Sequence, residues 1–461
     1  MSHHIFNPVI LREYDIRGEV GKTLFEADAL ALGKKFGSML YQSQKRVVCV
    51  GRDGRLTSPA LTFQLVEGLL SAGVDVTDLG IGPTPLIYYG LKTLNFDAAI
   101  MVTGSHNPAP DNGFKIALQN RPFFGKDIQE LAAIDDSLDL GIRGRFYAQN
   151  IIPAYVQRLL DDYEAPLSGY SSLKVVWDTG NGATGDVVRL LIQHLAGYHI
   201  LLNETIDGTF PAHHPDPTVP QNLTQLIEAV QENEADMGIA FDGDGDRIGI
   251  VDEKGRILWG DQLLLFLARE IIQNNPAATV IADVKSSQVL FDDIRQLGGN
   301  ILMSRTGHSL IKAKIAETGA LLAGEMSGHI FFADKYYGYD DALYCAVRFL
   351  NILQKEGKPL SQMIDGLPKV YNTPEIRIDC PDDLKFKIID KIAHQLAAEN
   401  ATVSTIDGLR VSRGKGWWLL RASNTQPALV ARCEASTPQD LEDLEREITS
   451  YLNPHGVIFK I

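Results

Sequence analysis

Three times before residue 370 a β-branched run gives way to a short polar turn and then to apolar positions at helical spacing. Val47-Val48-Cys49-Val50 passes into Gly51-Arg52-Asp53, and Ser58-Pro59 opens a helix with Leu61, Leu65, Leu69 and Leu70 on one stripe. Val175-Val176-Trp177-Asp178 leads through Thr179-Gly180-Asn181-Gly182 to Val187, Val188, Leu190 and Leu191, and Val280-Ile281-Ala282-Asp283 leads through Lys285-Ser286-Ser287 to Val289, Ile294 and Leu297. Each strand ends near an Asp. Further along each copy, a second apolar run predicts a buried strand with a polar exit loop: Ala98 to Val102 before residues 103–108, Met237 to Phe241 before 242–247, and Ala320 to Ala323 before 324–329. The repeat predicts three related α/β domains, each with a mixed sheet, rather than one sheet of about a dozen strands, which exceeds the usual size of a core.

From about Val370 the pattern changes. Strand-like 375–378 precedes a helix from Asp382 with Leu384, Ile388, Ile392 and Leu396 as its apolar stripe, followed by short strands near Val403, 409–411, 417–420 and 429–433. Thr437-Pro438 opens a last helix, with Leu441, Leu444, Ile448 and Tyr451 facing inward. This is the pattern of a smaller α+β domain. The expected division is 1–150, 151–252, 253–368 and 369–461, arranged around a central cleft.

At 461 residues and 45% hydrophobic content the chain can bury cores for about three or four domains. Its net charge of -15 argues against nucleic acid or an anionic membrane as partner, so any phosphate site must be locally basic. The first residues lack the basic start and apolar core of a signal peptide, and no apolar run approaches membrane-spanning length, so a cytoplasmic location is expected. Cys49, Cys345, Cys380 and Cys433 are far apart and read as reduced core thiols.

The chemistry sits in the exit loops. Ser105, between Gly104 and His106, invites a hydrolytic reading, but the string is not a G-x-S-x-G elbow and adjacent side chains in such a segment diverge; a plain turn before Pro108 is the alternative. Asp242, Asp244 and Asp246 alternate with glycines, so three carboxylates can converge on one cation, and an all-oxygen set favours Mg²⁺ over zinc. Strands rather than helices flank the loop, which excludes an EF-hand; a solvated acidic turn is the bland alternative. A phosphate oxygen would complete the cation's shell, with Arg247 next in line. Residues 421–427 offer Arg421, Ser423, Asn424 and Thr425 to a second phosphate, or make a polar turn. Glu325 and Ser327 can point to one side and suit sugar hydroxyls. Lys115, His308 and His329 are the candidates for proton transfer, although a lone Lys is more often a solvated surface charge and a lone His a structural imidazole.

Together with Tyr14-Asp15-Ile16-Arg17-Gly18 near the start, these four loops, in this order, resemble the α-D-phosphohexomutase family and within it the bacterial phosphomannomutase/phosphoglucomutase group. The resemblance implies interconversion of hexose 1-phosphate and 6-phosphate, with mannose or glucose as the sugar. Ser105 would be a phosphoserine, and Asp242, Asp244 and Asp246 would hold one Mg²⁺ that also binds its phosphate. It implies further that Lys115, His308, His329 and Arg17 do acid/base work or stabilise the transition state, with Arg247 offsetting charge. Arg421, Ser423, Asn424 and Thr425, with Lys285 and Tyr14, would hold the non-reacting phosphate. Glu325 and Ser327 would hold the sugar hydroxyls, and Thr306 and Gly307, beside His308, would sense the 2-position. Hexose 1,6-bisphosphate is then the intermediate and activator, turning around beneath a mobile fourth domain hinged near 368–373. The expected partners are small hexose phosphates, with no nucleic acid, membrane or obligate protein. The alternatives are a phosphoglucosamine mutase and a Mg²⁺-dependent sugar phosphatase in which Ser105 is a transient nucleophile.

Overall fold

The β-branched runs pair as a repeat requires. In the computed structural model, which describes residues 4–135, 141–166, 173–423 and 427–459, Val47–Arg52 lies parallel between Asp75–Ile81 and Ala98–Val102, and Asp111–Leu118 returns antiparallel beside the latter. Lys174–Asp178 sits in the same way between Tyr198–Leu202 and Met237–Phe241, with Ile248–Asp252 antiparallel. Thr279–Asp283 repeats it between Asn300–Ser304 and Leu322–Gly324, with Ile330–Phe332 antiparallel. All three sheets are mixed. Helices cover both faces, so the second strand of each unit is apolar throughout: Ala98–Val102, Met237–Phe241 and Leu322–Gly324 are buried at every position. A tight turn then reverses the chain, which puts the three exit loops at the carboxyl edges of their sheets.

The fourth sheet is entirely antiparallel. Its strand order runs Tyr371–Asn372, Ala428–Ala435, Gly416–Ala422, Leu409–Arg413, Val403–Ser404, with Ile376–Asp379 also on Ala428–Ala435. The helices Asp382–Ala398 and Pro438–Leu452 complete it, the second capped by the Thr437 hydroxyl, which accepts from Asp440 N at 3.1 Å. This domain has its own core. It rests on the third through a small cluster of Val284, Trp417 and Leu419 and through Arg410, whose guanidinium donates to the carbonyls of Val284 at 2.7 Å and Ser286 at 2.8 Å. The first three units share one large core, and each also has a cluster of its own.

Several expectations need correction. Leu190, Leu297 and Leu384, read as core positions, are exposed at 36%, 46% and 44%. In the helix Asp382–Ala398 the buried place next to Leu384 belongs to Lys385, whose ammonium reaches the Ser423 carbonyl at 2.5 Å, so its long stem fills the apolar stripe while its charge finds an acceptor. Of the segment 368–373, Tyr371 and Asn372 are already paired in the fourth sheet, and Thr373 N donates to Cys433 O at 3.0 Å, which leaves 368–370 as the connection. Ile257–Leu258, beyond residue 252, still pairs with Ile248–Asp252 in the second sheet. All four cysteines are buried free thiols. Among the described residues no helix is long and apolar enough to cross a membrane.

At the centre of the shared core lies Ala342–Glu356, buried along nearly its whole length. Its N-cap, Asp341, accepts from Tyr344 N at 2.9 Å, Tyr336 OH at 2.8 Å and Tyr155 OH at 2.9 Å. Burial pushes this carboxyl from 3.8 up to about 6 despite those donors. Between about pH 4 and 6 the folded protein therefore keeps a proton that the unfolded chain has lost, so the contribution of this group is greatest below pH 4 and declines as pH rises through 6. Asp341→Asn should remove the decline. Its unfolding free energy relative to wild type, measured in denaturant, is expected to rise by up to about 3 kcal/mol between pH 4 and 7.

Candidate active site

The Ser105 loop is held from beneath by one buried ion pair. Arg55, 1% exposed, donates from Nε to Asp53 at 3.1 Å. Its Nη1 donates to the carbonyls of Pro108 at 2.6 Å and Asp111 at 2.9 Å, and its Nη2 to those of Ser105 at 2.8 Å and Asn107 at 2.7 Å. All five guanidinium N–H groups are used, four of them on loop carbonyls. Asp53 works on the loop's donors, accepting from Gly104 N at 3.1 Å and Thr103 Oγ1 at 2.8 Å, and is itself held by Ser58 Oγ, at the start of the helix Ser58–Ser71, which donates to it at 2.6 Å. Ser105 itself has a left-handed φ of 50°, a strained conformation for a residue with a side chain, and this clamp holds it there. The bend also brings His106 Nδ1 to 3.1 Å from Ser105 Oγ, so these neighbours meet rather than diverge. Burial and the nearby Arg247 push the His106 pKa well below its usual value.

Gly243 carries the aspartate loop against this turn; a Cβ there would stand 2.5 Å from the Ser105 carbonyl oxygen. Ser105 Oγ donates to Asp242 Oδ2 at 2.9 Å. Asp242, Asp244 and Asp246 are fully buried and each brings a carboxylate oxygen within 4.8 Å of the others. Lys115 Nζ donates to Asp244 Oδ2 at 2.7 Å and to Asp246 Oδ2, and Thr84 Oγ1 donates to Asp244 at 2.5 Å. Burial, then Asp246 and Asp244, raise the Asp242 carboxyl, whereas at Asp244 burial is opposed by the Lys115 charge, the hydrogen bonds from Lys115 and Thr84 and the Arg17 charge, which together lower it. Among the described residues Asp244 Oδ1 and Asp246 Oδ1 have no hydrogen-bond partner. Orphaned hard oxygens in an anionic, buried cluster are what a divalent cation requires, and the set fits Mg²⁺.

Around this centre stand the expected cations. Arg247 Nε donates to His329 Nε2 at 3.0 Å. Arg17 pairs with Asp15 at 2.9 Å and donates to Asn107 Oδ1 at 3.1 Å, which ties it to the Ser105 loop. His308 stacks on His329 with ring centres 5.8 Å apart, and its Nε2 lies 3.5 Å from Asp15 Oδ1. Burial and the ammonium of Lys312 lower the His308 pKa.

A second cluster spans the third and fourth domains. Glu325 accepts from Gly307 N and, on its other oxygen, from Ser327 Oγ at 3.4 Å, so Glu325 and Ser327 do share a side. Gly307 has φ 137°, and a Cβ there would meet the Tyr14 ring at 2.5 Å; Tyr14 OH donates to Thr306 O at 2.8 Å. Asp407 bridges Thr306 N at 3.1 Å and Arg421 Nε at 2.9 Å. Lys285 donates to Glu375 at 2.9 Å, and there burial raises the carboxyl while Lys285 brings it down to about 2. Ser423 is buried beside them, and Asn424 and Thr425 lie outside the described residues.

Comparison with known proteins settles what such a constellation belongs to. Four family profiles match in order: "Phosphoglucomutase/phosphomannomutase, alpha/beta/alpha domain I" over residues 8–139, domain II over 153–255, domain III over 259–371, and "C-terminal domain" over 375–450. The chain belongs to the phosphoglucomutase/phosphomannomutase family. It is thereby an intramolecular phosphotransferase of the isomerase class. The chain is 44% identical over 437 residues to a phosphomannomutase/phosphoglucomutase of Pseudomonas putida, covering 95% of this chain and 94% of that one. It is 39% identical over 457 residues to a phosphoglucomutase of Neisseria gonorrhoeae, covering 97% of each. A crystal structure of a phosphoglucomutase/phosphomannomutase family protein from Burkholderia thailandensis superposes with a TM-score of 0.91 at 39% identity, covering 99% of this chain and 100% of that one.

The structure brings Ser105, Lys115, the three aspartates, Arg247, His329, His308 and Arg17 into one centre. Lys285, Arg421 and Ser423 form the other, with Tyr14, Thr306, Gly307, Glu325 and Ser327 between them. Sequence reasoning missed Arg55, Thr84, Lys312, Asp340, Glu375 and Asp407. One signal was present: the acid at the end of each unit's first strand. Asp53 accepts from Gly104 N at 3.1 Å, and its counterpart Asp283 accepts from Met326 N at 3.4 Å, so both anchor their unit's exit loop. Arg55→Lys supplies three donors where five are used. It is expected to lower unfolding free energy by roughly 2–5 kcal/mol and turnover by at least about tenfold, read by denaturant unfolding and a steady-state mutase assay.

Proposed function

We propose that the protein is a cytoplasmic enzyme that interconverts hexose 1-phosphate and hexose 6-phosphate, of mannose and glucose, through phosphorylated Ser105 and a hexose 1,6-bisphosphate intermediate. The observation behind this reading is the bond from Ser105 Oγ to Asp242 inside a buried carboxylate cluster ringed by Lys115 and Arg247. A hydroxyl aimed at a cation site, with fixed positive charge beside it, suits a group that gives and regains a phosphoryl rather than one that attacks a carbonyl.

Asp242, Asp244 and Asp246 would hold the Mg²⁺, which when bound neutralises phosphoryl charge at Ser105. In the first transfer a substrate hydroxyl oxygen bonds to the phosphorus of phosphoserine, the bond from phosphorus to Ser105 Oγ breaks, and the hydroxyl proton passes to His329 Nε2. Ser105 Oγ leaves with a proton from Lys115. Burial lowers the Lys115 pKa, but the charges of Asp244, Asp246 and Asp15 oppose it with a net rise, so this side chain starts as an ammonium with a proton to give. Arg17 and Arg247 stabilise the charge on the moving group, and His308 supports His329 by stacking. Tyr14, Lys285, Arg421, Ser423, Asn424 and Thr425 hold the phosphate that does not react, displacing the carboxylates of Glu375 and Asp407 from their cations. Glu325 and Ser327 take sugar hydroxyls, with Thr306 and Gly307 near the 2-position. After the bisphosphate turns around, Ser105 takes the other phosphoryl group. The separate core of the fourth domain and its short connection at 368–370 support opening for that turn.

Intact-mass and peptide analysis should find one phosphate on Ser105 after incubation with hexose 1,6-bisphosphate. Ser105→Ala should lose turnover by more than about a thousandfold, and a variant at wild-type rate sinks the proposal. Coupled assays with mannose, glucose and glucosamine 1-phosphates should favour the first two; net release of inorganic phosphate instead of isomer would make the enzyme a phosphatase. Chelation is expected to stop turnover, and Mg²⁺ to restore it.

A further inference from the structure

His329 is 4% exposed and lies between two fixed groups, Arg247 on one ring nitrogen and Asp340 on the other. A guanidinium N–H can only donate, so the 3.0 Å contact from Arg247 Nε requires an unprotonated Nε2 on His329 and puts the ring proton on Nδ1. Nδ1 faces two carboxylate oxygens, Asp340 Oδ2 at 3.0 Å and Asp246 Oδ1 at 3.6 Å. All three atoms are buried without a hydrogen bond among the described residues, and Asp340 Oδ2 is the carboxylate oxygen nearest to Nδ1. Asp246 belongs to the cation cluster, so Asp340 is the carboxylate left for the imidazole.

Asp340 is fully buried and is held by its other oxygen, which accepts from Lys312 Nζ at 3.0 Å. Lys312 stands one turn beyond His308 on the helix His308–Thr318, within 3.1 Å of His308 Nδ1 and 3.2 Å of Tyr88 OH. An ammonium also can only donate, so His308 accepts on Nδ1 and carries its proton on Nε2, toward Asp15. The two stacked imidazoles are thus set in opposite tautomers.

We propose that Asp340, braced by Lys312, is a positioning residue that fixes the Nδ1–H tautomer of His329, so that Nε2, which accepts from Arg247 before substrate arrives, is the unprotonated nitrogen that takes the hydroxyl proton once Arg247 turns to the moving phosphoryl group. The inference rests on His329 as proton acceptor in the reading above. When Nε2 takes the hydroxyl proton, the Nδ1–H stays against Asp340, whose charge stabilises the imidazolium, and the proton returns to solvent or product as the ring reverts.

The test uses Mg²⁺-loaded enzyme. Asp340→Asn presents an amide to Nδ1; kcat is expected to fall roughly 10²- to 10⁴-fold, with KM for hexose 1-phosphate changed less than about twofold. Asp340→Glu, which restores a carboxylate, should recover part of the loss. Nitrogen-15 NMR of labelled histidine, assigned with His329→Gln, should show Nδ1–H in wild type and a shift toward Nε2–H in Asp340→Asn. A wild-type kcat in Asp340→Asn, or an unchanged tautomer alongside a lost kcat, overturns the proposal, as does Nε2–H in wild type even if the variant does not fold. Full activity of His329→Gln would instead overturn its role as proton acceptor while the tautomer measurement still decides what Asp340 does.

Discussion

Three carboxylates that share one small volume, none of them exposed, repel one another by about 4 kcal/mol per pair at 4 Å and an effective dielectric near 20, and the surrounding structure is arranged to offset that repulsion. The offsetting groups do not come from the aspartate loop's own sheet alone. Lys115 lies on Asp111–Leu118 and Thr84 at the start of Thr84–Thr93, both in the first unit, while His329 closes the third unit's exit loop. Arg247 is the loop's own contribution. The first three units must therefore pack edge to edge for the centre to exist, and they do so over the large core they share. The same demand for positive charge makes the centre a place for a divalent cation.

The fourth domain meets a different requirement. Its cations, Lys285 across the boundary and Arg421 within it, are already paired with Glu375 and Asp407. On the proposed reading, an anion arriving there would compete with these carboxylates, and the Lys285–Glu375 pair across the boundary would link its binding to the position of the domain. A shared hydrophobic core would oppose such movement; a core of its own, with a patch of Val284, Trp417 and Leu419 and a few hydrogen bonds between, does not.

Most of the architecture was legible because period and repetition are local: runs such as Val47 to Val50 and their exit loops specify strand, turn and helix before any tertiary contact forms. The helix phases failed where a long charged side chain did the work of an apolar one. Lys385 displaces Leu384 from the interior because the Ser423 carbonyl gives its ammonium a partner, and no local pattern announces that partner. The meeting of Ser105 and His106 was misread because it depends on a left-handed residue, which is in turn imposed by Arg55 from another strand's end. Residues that act at a distance in the chain, Asp340 on His329 or Asp407 on Arg421, form no motif; their identity is ordinary and only their position is special.

The repeated units also show why one exit loop differs from the others. In the first and third units the acid ending the first strand, Asp53 or Asp283, reaches across to a backbone amide of the exit loop and frees that loop's own side chains. In the second unit Asp178 instead accepts from Gly180 N at 2.9 Å and pairs with His213 at 2.8 Å, away from the aspartate loop. That loop is braced from within: Asp242 Oδ1 accepts from Asp246 N and from Arg247 N, both at 3.1 Å, while Asp242 Oδ2 receives Ser105 Oγ at 2.9 Å. A further carboxylate reaching into this loop would add a fourth negative charge to a buried cluster that already needs two cations to balance it. Division of one carboxylate between bracing and binding avoids that charge, and it leaves Asp244 Oδ1 and Asp246 Oδ1 without a hydrogen bond among the described residues, as a cation-binding loop requires.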